Sequence, residues 1–362
     1  MKRLLCAALL LCLLTASGAA EKTILLTFAG DCTLGGAEST RRWESSFDSL
    51  AAANGTDAFF AGLLDLFATD DATVINLEGV LADSAAGAKG NKNFRFRGAT
   101  AYAGILSDAS VEVASLANNH AEDYGSKGLS STRSALEAAG VRWIRRTDYA
   151  LVEKDGIRVA VFGVDAIGFR KQKKAICAEI ARVKAEGEAE AVVAVCHSGK
   201  EYVPKHYAVQ TNTAMALVDA GADLVIMHHP HVVQGIAFYK GATVCYSLGN
   251  CVFGGNTRIQ SKTYYRTHPA TSLYGLVARA ELRFSDEGEY LGQQVDLYPI
   301  FTSGDRQIND YRPRIVTGED ALKVFECVQF DTAFELPAYD PETGCVSLPY
   351  VEALREDIPE EE

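Results

Sequence analysis

Apolar, β-branched runs alternate along the chain with segments whose apolar residues recur at helical spacing. The runs are nearly continuous, which is typical of strands buried on both faces of a sheet. The predicted strands are residues 23–29, 73–76, 111–116, 157–164, 191–196 and 223–227. Between them, Ile176, Ile180 and Val183 fall on one face of a predicted helix. The alternation predicts an α/β fold built from layers of sheet and helix.

The pattern changes after residue 230. Residues 236–239 and 244–248 flank the turn Lys240-Gly241, and residues 276–284 and 290–298 flank a second polar turn, so both pairs are predicted to be antiparallel hairpins. We expect one principal domain over residues 21–300 and a C-terminal extension over residues 301–362. The extension ends in an acidic run that is predicted to be a solvated tail.

Amino-acid composition and net charge limit the kinds of molecule that the protein is expected to bind. Hydrophobic residues make up 48% of the 362-residue chain and charged residues 23%, as in an ordinary folded protein. Lys and Arg number 35 against 47 Asp and Glu, which gives a formal net charge of -12. A surface of that sign repels nucleic acid, so we expect no nucleic-acid partner. An anionic substrate would need a local cation, such as a metal ion.

The N-terminus has the pattern of a secretory signal. Lys2 and Arg3 precede an apolar run over residues 4–14, small residues follow, and the chain turns polar at Glu21. Residues 1–20 are therefore predicted to be a signal peptide and the protein to be exported, extracellular or associated with the cell surface. Retention of this segment as an uncleaved anchor is the alternative. Seven of the nine cysteines lie beyond it, an odd number without a CxxC pair, so we expect no disulfide framework.

Polar residues of metal-binding types follow five of the predicted strands. Ligands bind at the carboxyl ends of strands in open α/β sheets, and a set of carboxylates and imidazoles suits Zn, Mn or Fe. These residues are Asp31, Glu78, Asn118, Asn119, His120, His197, His228, His229 and His231. Alone, Asp31 could be a turn residue and His197 a core histidine. Glu78, at the end of a buried strand, needs a partner to offset its desolvation, and a metal ion supplies one.

Six segments in order resemble one family. They are GDCTLGG (30–36), INLEG (75–79), SLANNHAEDYG (115–125), HSGKEY (197–202), ADLVIMHHPHVVQG (222–235) and YSLGNCVFGG (246–255). Together they resemble the CapA-type capsule and poly-γ-glutamate synthesis proteins, which are related in fold to calcineurin-like metallophosphoesterases. The resemblance covers roughly residues 23–255 and implies a four-layer α/β/β/α sandwich of the metallophosphoesterase type with a dinuclear metal centre.

The resemblance also implies roles for individual residues. Asp31, Glu78 and His231 would hold one ion. Glu78, as a bridging ligand, would hold a second ion with Asn119, His197 and His229. His120 matches the histidine that acts as general acid or stabilises the transition state. Residues expected to support these ligands or the substrate are Thr33, Asn118, Asp123, Glu201, His228 and Asn250.

This sequence departs from the superfamily at the first motif. Thr33 stands where phosphoesterases of the superfamily have a histidine ligand, which removes one ligand from the first ion. The expected function is metal-dependent, phosphoesterase-like hydrolysis of a phosphoester, or of an amide or acyl linkage, in an anionic polymer of the cell envelope. The alternative is a non-catalytic component that binds or tethers a polyanion, together with membrane-bound synthase components. Thr33 favours this alternative.

Overall fold

A computed structural model describes residues 21–90, 92–259 and 270–354. The predicted signal peptide and the acidic run at 355–362 lie outside these residues. Over the described ranges, no helix combines the length and the apolar character needed to cross a bilayer.

The described segments form many short strands and a smaller set of helices. The strands are β1 (Lys22–Cys32), β2 (Gly36–Ala37), β3 (Ala72–Leu77), β4 (Val80–Leu81), β5 (Phe96–Gly98), β6 (Val113–Ser115), β7 (Arg142–Ile144), β8 (Tyr149–Lys154), β9 (Ile157–Asp165), β10 (Ala191–His197), β11 (Leu224–His228), β12 (Ile236–Tyr239), β13 (Ala242–Cys245), β14 (Tyr274–Phe284), β15 (Tyr290–Phe301), β16 (Arg314–Ile315), β17 (Val346–Ser347) and β18 (Val351–Glu352). The helices are α1 (Phe47–Asn54), α2 (Leu64–Phe67), α3 (Ala103–Asp108), α4 (Gly125–Ala138), α5 (Ala166–Ala185), α6 (Ala208–Val218) and α7 (Gly318–Phe330), with a 3₁₀ turn at Thr100–Tyr102.

These strands form two large mixed sheets. The first has the order β16-β15-β14-β1-β3-β6-β7, with β17 and β18 also paired to β15. Its strands β1, β3, β6 and β7 are parallel, whereas β14 runs antiparallel to β1. The second sheet has the order β12-β13-β11-β10-β9-β8, in which β9, β10, β11 and β13 are parallel. A small third sheet, β2-β5-β4, lies beside the first motif.

Successive side chains of each strand point to opposite faces of the sheet, so each sheet packs against one layer on each side. Ile24, Leu26 and Phe28 of β1 belong to a core that also contains Val159 and Val161 of β9, so this core lies between the two large sheets. The other face of the first sheet packs against α1 to α4, and that of the second against α5 and α6. The expected four-layer α/β/β/α sandwich is confirmed.

The predicted strands and hairpins match observed elements with small differences at their ends. The hairpins are β12–β13 and β14–β15. Residues 246–248 do not continue β13, because the chain there enters the loop that borders the candidate site. Beyond residue 301, β16, β17 and β18 pair with β15, and Val324 and Val328 of α7 join the core between the sheets. The seven cysteines at positions 32–345 are free thiols.

Candidate metal centre

The site lies where the carboxyl ends of strands from both large sheets meet. The first sheet contributes Asp31 from the end of β1 and Glu78 directly after β3. The second contributes His197, the last residue of β10, and His229 and His231, which follow β11. Because β1 runs parallel to β3 and β10 runs parallel to β11, the carboxyl ends of each pair lie at one edge and bring distant parts of the chain together.

Asp31 is positioned by an irregularity in β1. The register between β1 and β3 shifts between Ala29 and Asp31, which turns the end of the strand. The loop after β13 lies directly against this point: Asp31 N–H donates to Gly249 O at 3.0 Å, and a Cβ on Gly30 would lie 2.2 Å from the same oxygen. Only glycine at position 30 allows this approach of two backbones.

Glu78 belongs to two groups of possible ligands. One ligand atom from each of Asp31, Glu78 and His231 lies within 4.8 Å of the others, and the same holds for Glu78, His197 and His229. His231 Nδ1 is 3.1 Å from Asp31 Oδ2, and His197 Nε2 is 3.4 Å from Glu78 Oε1. Glu78 is thus common to two of the possible ligand groups, and it is the residue to which the resemblance assigns a bridging role.

The surroundings of Glu78 fit a cation. Its side chain is fully buried, and neither carboxylate oxygen has a hydrogen-bond partner. Burial raises the pKa of Glu78 to about 8. His229 Nδ1 is also buried without a partner. Buried polar atoms without partners are costly, and a divalent ion bound between the carboxylate and the imidazoles would satisfy them.

Four other ligand candidates have strongly shifted pKa values. Burial alone would raise the pKa of Asp31, but its hydrogen bond with His231 and the nearby imidazoles hold that pKa well below its usual range. Burial opposes the charge on His231, yet the carboxylates of Glu78 and Asp31 raise its pKa to about 10. Burial lowers the pKa of His197 to about 4 and that of His229 to about 2. Without metal, His231 is therefore the charged histidine among these three.

His120 lies beside the cluster and is held by a carboxylate. Its Nδ1 is 2.6 Å from Asp123 Oδ2, and its Nε2 is 3.8 Å from Glu78 Oε1. Asp123 also accepts hydrogen bonds from Phe96 N–H at 2.9 Å and from the Lys92 ammonium at 2.6 Å. Asp123 thus fixes the Nδ1–H tautomer of His120 and leaves Nε2 facing the cluster.

The other predicted residues lie around the same cluster. Asn119 Oδ1 is 2.8 Å from His197 Nε2, and Asn250 Oδ1 is 2.9 Å from His231 Nδ1. Asn118 donates through Nδ2 to Leu77 O at 2.9 Å. His228 is buried with its Nδ1 3.9 Å from Asp31 Oδ1.

Thr33 and Glu201 complete the set of predicted residues. The Thr33 hydroxyl donates to Gly35 O at 3.0 Å, within its own turn. Glu201 is exposed, and one of its carboxylate oxygens belongs to a third possible ligand group with His229 and His231. The resemblance implied only a supporting role for Glu201, whereas the structure places it at the distance of the ligands themselves.

Two contributors were absent from the sequence-based set. Asn76, in the buried strand β3, donates to Asp31 Oδ1 at 2.7 Å and lies 3.2 Å from His197 Nδ1, so it joins the two sheets at the site. An asparagine between Ile75 and Leu77, at the apolar end of this strand, was the available signal. Lys92 lies in a loop without periodicity, and no sequence pattern marked it.

The segment after β11, residues 229–231, is called the histidine loop here, and its backbone is strained. His229 and His231 have φ values of 101° and 56°, and Tyr202, in the loop after β10, has φ 59°. Tyr202 N–H donates to the carbonyl of Pro230 at 2.7 Å, which joins the two loops. Non-glycine residues rarely adopt positive φ, and such residues cluster at functional sites.

Fold and site together define a four-layer α/β/β/α protein with a candidate carboxylate–imidazole metal centre at the joined edges of its sheets. The chain belongs to the bacterial capsule synthesis protein PGA_cap family, whose model matches residues 25–255. This range contains every predicted site residue, and it confirms the resemblance to CapA-type proteins.

Two similar proteins have names that refer to capsule or PGA biosynthesis. The chain is 31% identical over 239 residues to the capsule biosynthesis protein CapA of Bacillus anthracis, across 59% of this chain and 58% of that protein. It is 26% identical over 270 residues to the PGA biosynthesis protein CapA of Bacillus subtilis (strain 168), across 68% of each. A hypothetical protein from Thermus thermophilus of known crystal structure has a TM-score of 0.43 and 17% identity, covering 76% of this chain and 99% of that one.

Proposed function

We propose that this protein is exported and acts in the synthesis or attachment of a capsule or poly-γ-glutamate at the cell envelope. In this proposal it hydrolyses a phosphoester, or an amide or acyl linkage, in an anionic polymer, using two divalent ions of Mn, Zn or Fe. Membership of the PGA_cap family and the names of the two relatives support the envelope role. Membrane-bound synthase components are the expected protein partners.

The main support for metal-dependent hydrolysis is the burial of Glu78 without hydrogen-bond partners. A fully buried carboxylate with two unpartnered oxygens, bordered by imidazoles from the opposite sheet, is unfavourable unless a cation lies between them. Mixed oxygen and nitrogen donors suit Mn, Zn or Fe better than Ca or Mg. The residues present therefore fit the proposed ions.

The proposed metal ligands divide between two ion positions. Asp31, Glu78 and His231 would hold the first ion, and Glu78, Asn119, His197 and His229 the second. When bound, such ions polarise the scissile group and make a water molecule nucleophilic at neutral pH.

The proton for the leaving group is assigned to His120. Its Nδ1–H is held by Asp123, so its Nε2 is the atom that would deliver a proton to a leaving oxygen. The Asp123 carboxylate also holds the ring in the orientation that this transfer requires. Lys92, paired to the same carboxylate, keeps Asp123 in place. Asn250 Oδ1 lies 2.9 Å from His231 Nδ1 and orients that ring.

One specific observation supports the alternative function, in which the protein binds or tethers a polyanion without cleaving it. The hydroxyl of Thr33 is bound to Gly35 O, and position 33 supplies no imidazole to the first ion. An ion with fewer protein ligands retains positions for carboxylates of a polyanion. A protein that binds such a polymer without cleaving it would use the same centre as an anchor.

Metal content and turnover test the proposal together. Purified protein is reconstituted with Mn, Zn or Fe(II), dialysed and analysed for metal, and its hydrolysis of para-nitrophenyl phosphate is measured with and without chelator. Wild type should bind up to two ions, and Glu78→Gln should lose most of the metal. Glu287→Gln, the same substitution at an exposed turn between β14 and β15, is the matched control and should behave as wild type. Absence of bound metal in wild type would contradict the proposed site. Bound metal without turnover would favour tethering.

A further inference from the structure

Glu201 occupies an unusual position relative to the buried cluster. One of its carboxylate oxygens lies within 4.8 Å of ligand atoms of both His229 and His231, although the remainder of the side chain is exposed. Those two histidines are assigned to different ions in the proposed centre. Glu201 is thus the one carboxylate in the three possible ligand groups of the described residues that reaches the cluster from the solvent side.

The loop that carries Glu201 is fixed against the histidine loop. Ser198 N–H donates to His228 O at 2.9 Å, and Tyr202 N–H donates to Pro230 O at 2.7 Å, so hydrogen bonds hold both sides of Glu201. The Tyr202 ring lies 5.8 Å from that of His231, centroid to centroid. The positive φ of Tyr202 is maintained by these contacts. The position of the Glu201 backbone is therefore set by the same segment that positions the ligands.

We propose that Glu201 is a direct ligand of the metal centre in its resting state, and that an anionic substrate group displaces it on binding. This inference rests on the proposed metal site. His229 adds a further reason: its Nδ1 is buried without a hydrogen-bond partner, in a residue only 8% exposed, and one of its ring nitrogens lies within 4.8 Å of a Glu201 carboxylate oxygen. The same oxygen also lies within 4.8 Å of a ligand atom of His231, so the carboxylate adds a donor beside the first ion, where Thr33 supplies none.

Charge explains why this ligand would be exchangeable. Asp31 and Glu78 together neutralise about half of the charge of two divalent ions, so the loaded centre retains a strong attraction for anions. A carboxylate at the solvent-facing side satisfies that attraction when no substrate is present. Since the Glu201 side chain is exposed, it returns to water on displacement without the desolvation cost that Asp31 or Glu78 would incur. The substrate class implied is one that presents a phosphate or carboxylate to the two ions.

The test compares Glu201→Gln with wild type and with Glu287→Gln. Mn²⁺ binding is measured by titration calorimetry and by electron paramagnetic resonance of free Mn²⁺, and inorganic phosphate is the probe for anion binding to the loaded protein. Both are measured at about 0.5 M KCl, where long-range attraction is screened and loss of a direct ligand still registers. Because Glu201 is exposed, its replacement should leave the fold unchanged, which circular dichroism checks.

The expected result has two parts. Glu201→Gln should bind its weaker Mn²⁺ at least about tenfold less tightly, since removal even of a group that only supports a metal ligand costs that much. It should also bind phosphate several-fold more tightly, since no carboxylate competes. Glu287→Gln should change neither affinity. Unchanged Mn²⁺ affinity, or unchanged phosphate affinity, in Glu201→Gln overturns the inference while leaving the metal site intact. A wild-type protein that binds no Mn²⁺ instead contradicts the proposed function itself.

Discussion

Loading the centre with metal should release protons, and the number follows from the site. At pH 7, Glu78 is mostly protonated because burial raises its pKa to about 8. His231 keeps its proton against the effect of burial because it is bonded to the ionised Asp31 carboxylate. Once Glu78 also ionises, its charge adds to that of Asp31, and the pKa of His231 is about 10. His197 and His229 are neutral, since burial lowers their pKa values to about 4 and about 2. Ligands bind metal in their deprotonated forms.

About two protons should therefore leave when both ions bind at pH 7. The assay is titration calorimetry with Mn²⁺ in two buffers of different ionisation enthalpy, whose difference in apparent enthalpy gives the proton count. His120→Ala is the control, because His120 is not assigned as a ligand and its loss should leave the count unchanged. Metal binding without proton release at pH 7 would refute the protonation states assigned to Glu78 and His231.

The same two groups determine how stability depends on pH in the metal-free protein. Their pKa values are raised in the folded state, so the stability they contribute is fully present below about 4.5 for Glu78 and about 6.5 for His231. It is lost as the pH rises through about 8 and about 10, respectively. Bound metal removes this loss. The gain in Tm on adding Mn²⁺ should consequently be larger at pH 8.5 than at pH 6.5, and an equal gain at both values would contradict the assignment.

Three further outcomes are expected. His120→Ala should keep its metal and lose turnover of para-nitrophenyl phosphate by roughly 10²–10⁴, the usual contribution of general acid catalysis; unchanged turnover would exclude His120 from the mechanism. Metal titration should resolve one tight and one weak ion, and Thr33→His should strengthen the weak one, whereas two ions of equal affinity would show that the first motif is misassigned. Asp331→Ala should lower the free energy of unfolding by about 2–4 kcal/mol in urea titrations, because Asp331 accepts hydrogen bonds from the backbone of Gly235 and from the backbone and ring of His206. A loss below about 0.5 kcal/mol would show that these bonds are replaced by water.

The strands and their burial could be predicted because each carries a local signal. Apolar runs identify β1, β9 and β10, and polar residues at their carboxyl ends identify Asp31 and His197 as candidates before any fold is known. Polar residues at the ends of these strands can be grouped from the sequence alone, because the carboxyl ends of parallel strands lie at one edge of a sheet. That rule does not show which sheet faces which.

The residues that sequence reasoning missed or misplaced act across the two sheets or from loops. Asn76 connects Asp31 of the first sheet with His197 of the second, a contact that arises only when the sheets pack. Lys92 reaches Asp123 from a segment 31 positions earlier without a periodic pattern. Glu201 lies on the exposed side of a loop, where a carboxylate is ordinary, and its nearness to His229 depends on backbone bonds to the next loop.

The energetic features of the site point to one physical interpretation. Glu78 is buried without a partner, and His229 and His231 adopt backbone conformations that cost about 1–3 kcal/mol each. Without metal, this edge of the sandwich is therefore energetically unfavourable, and the packing of both sheets maintains it. A group that binds only the folded protein recovers part of that cost, since its binding free energy adds directly to stability. Such an arrangement fits the proposed metal centre, because the candidate ligand atoms of each group already lie within 4.8 Å of one another.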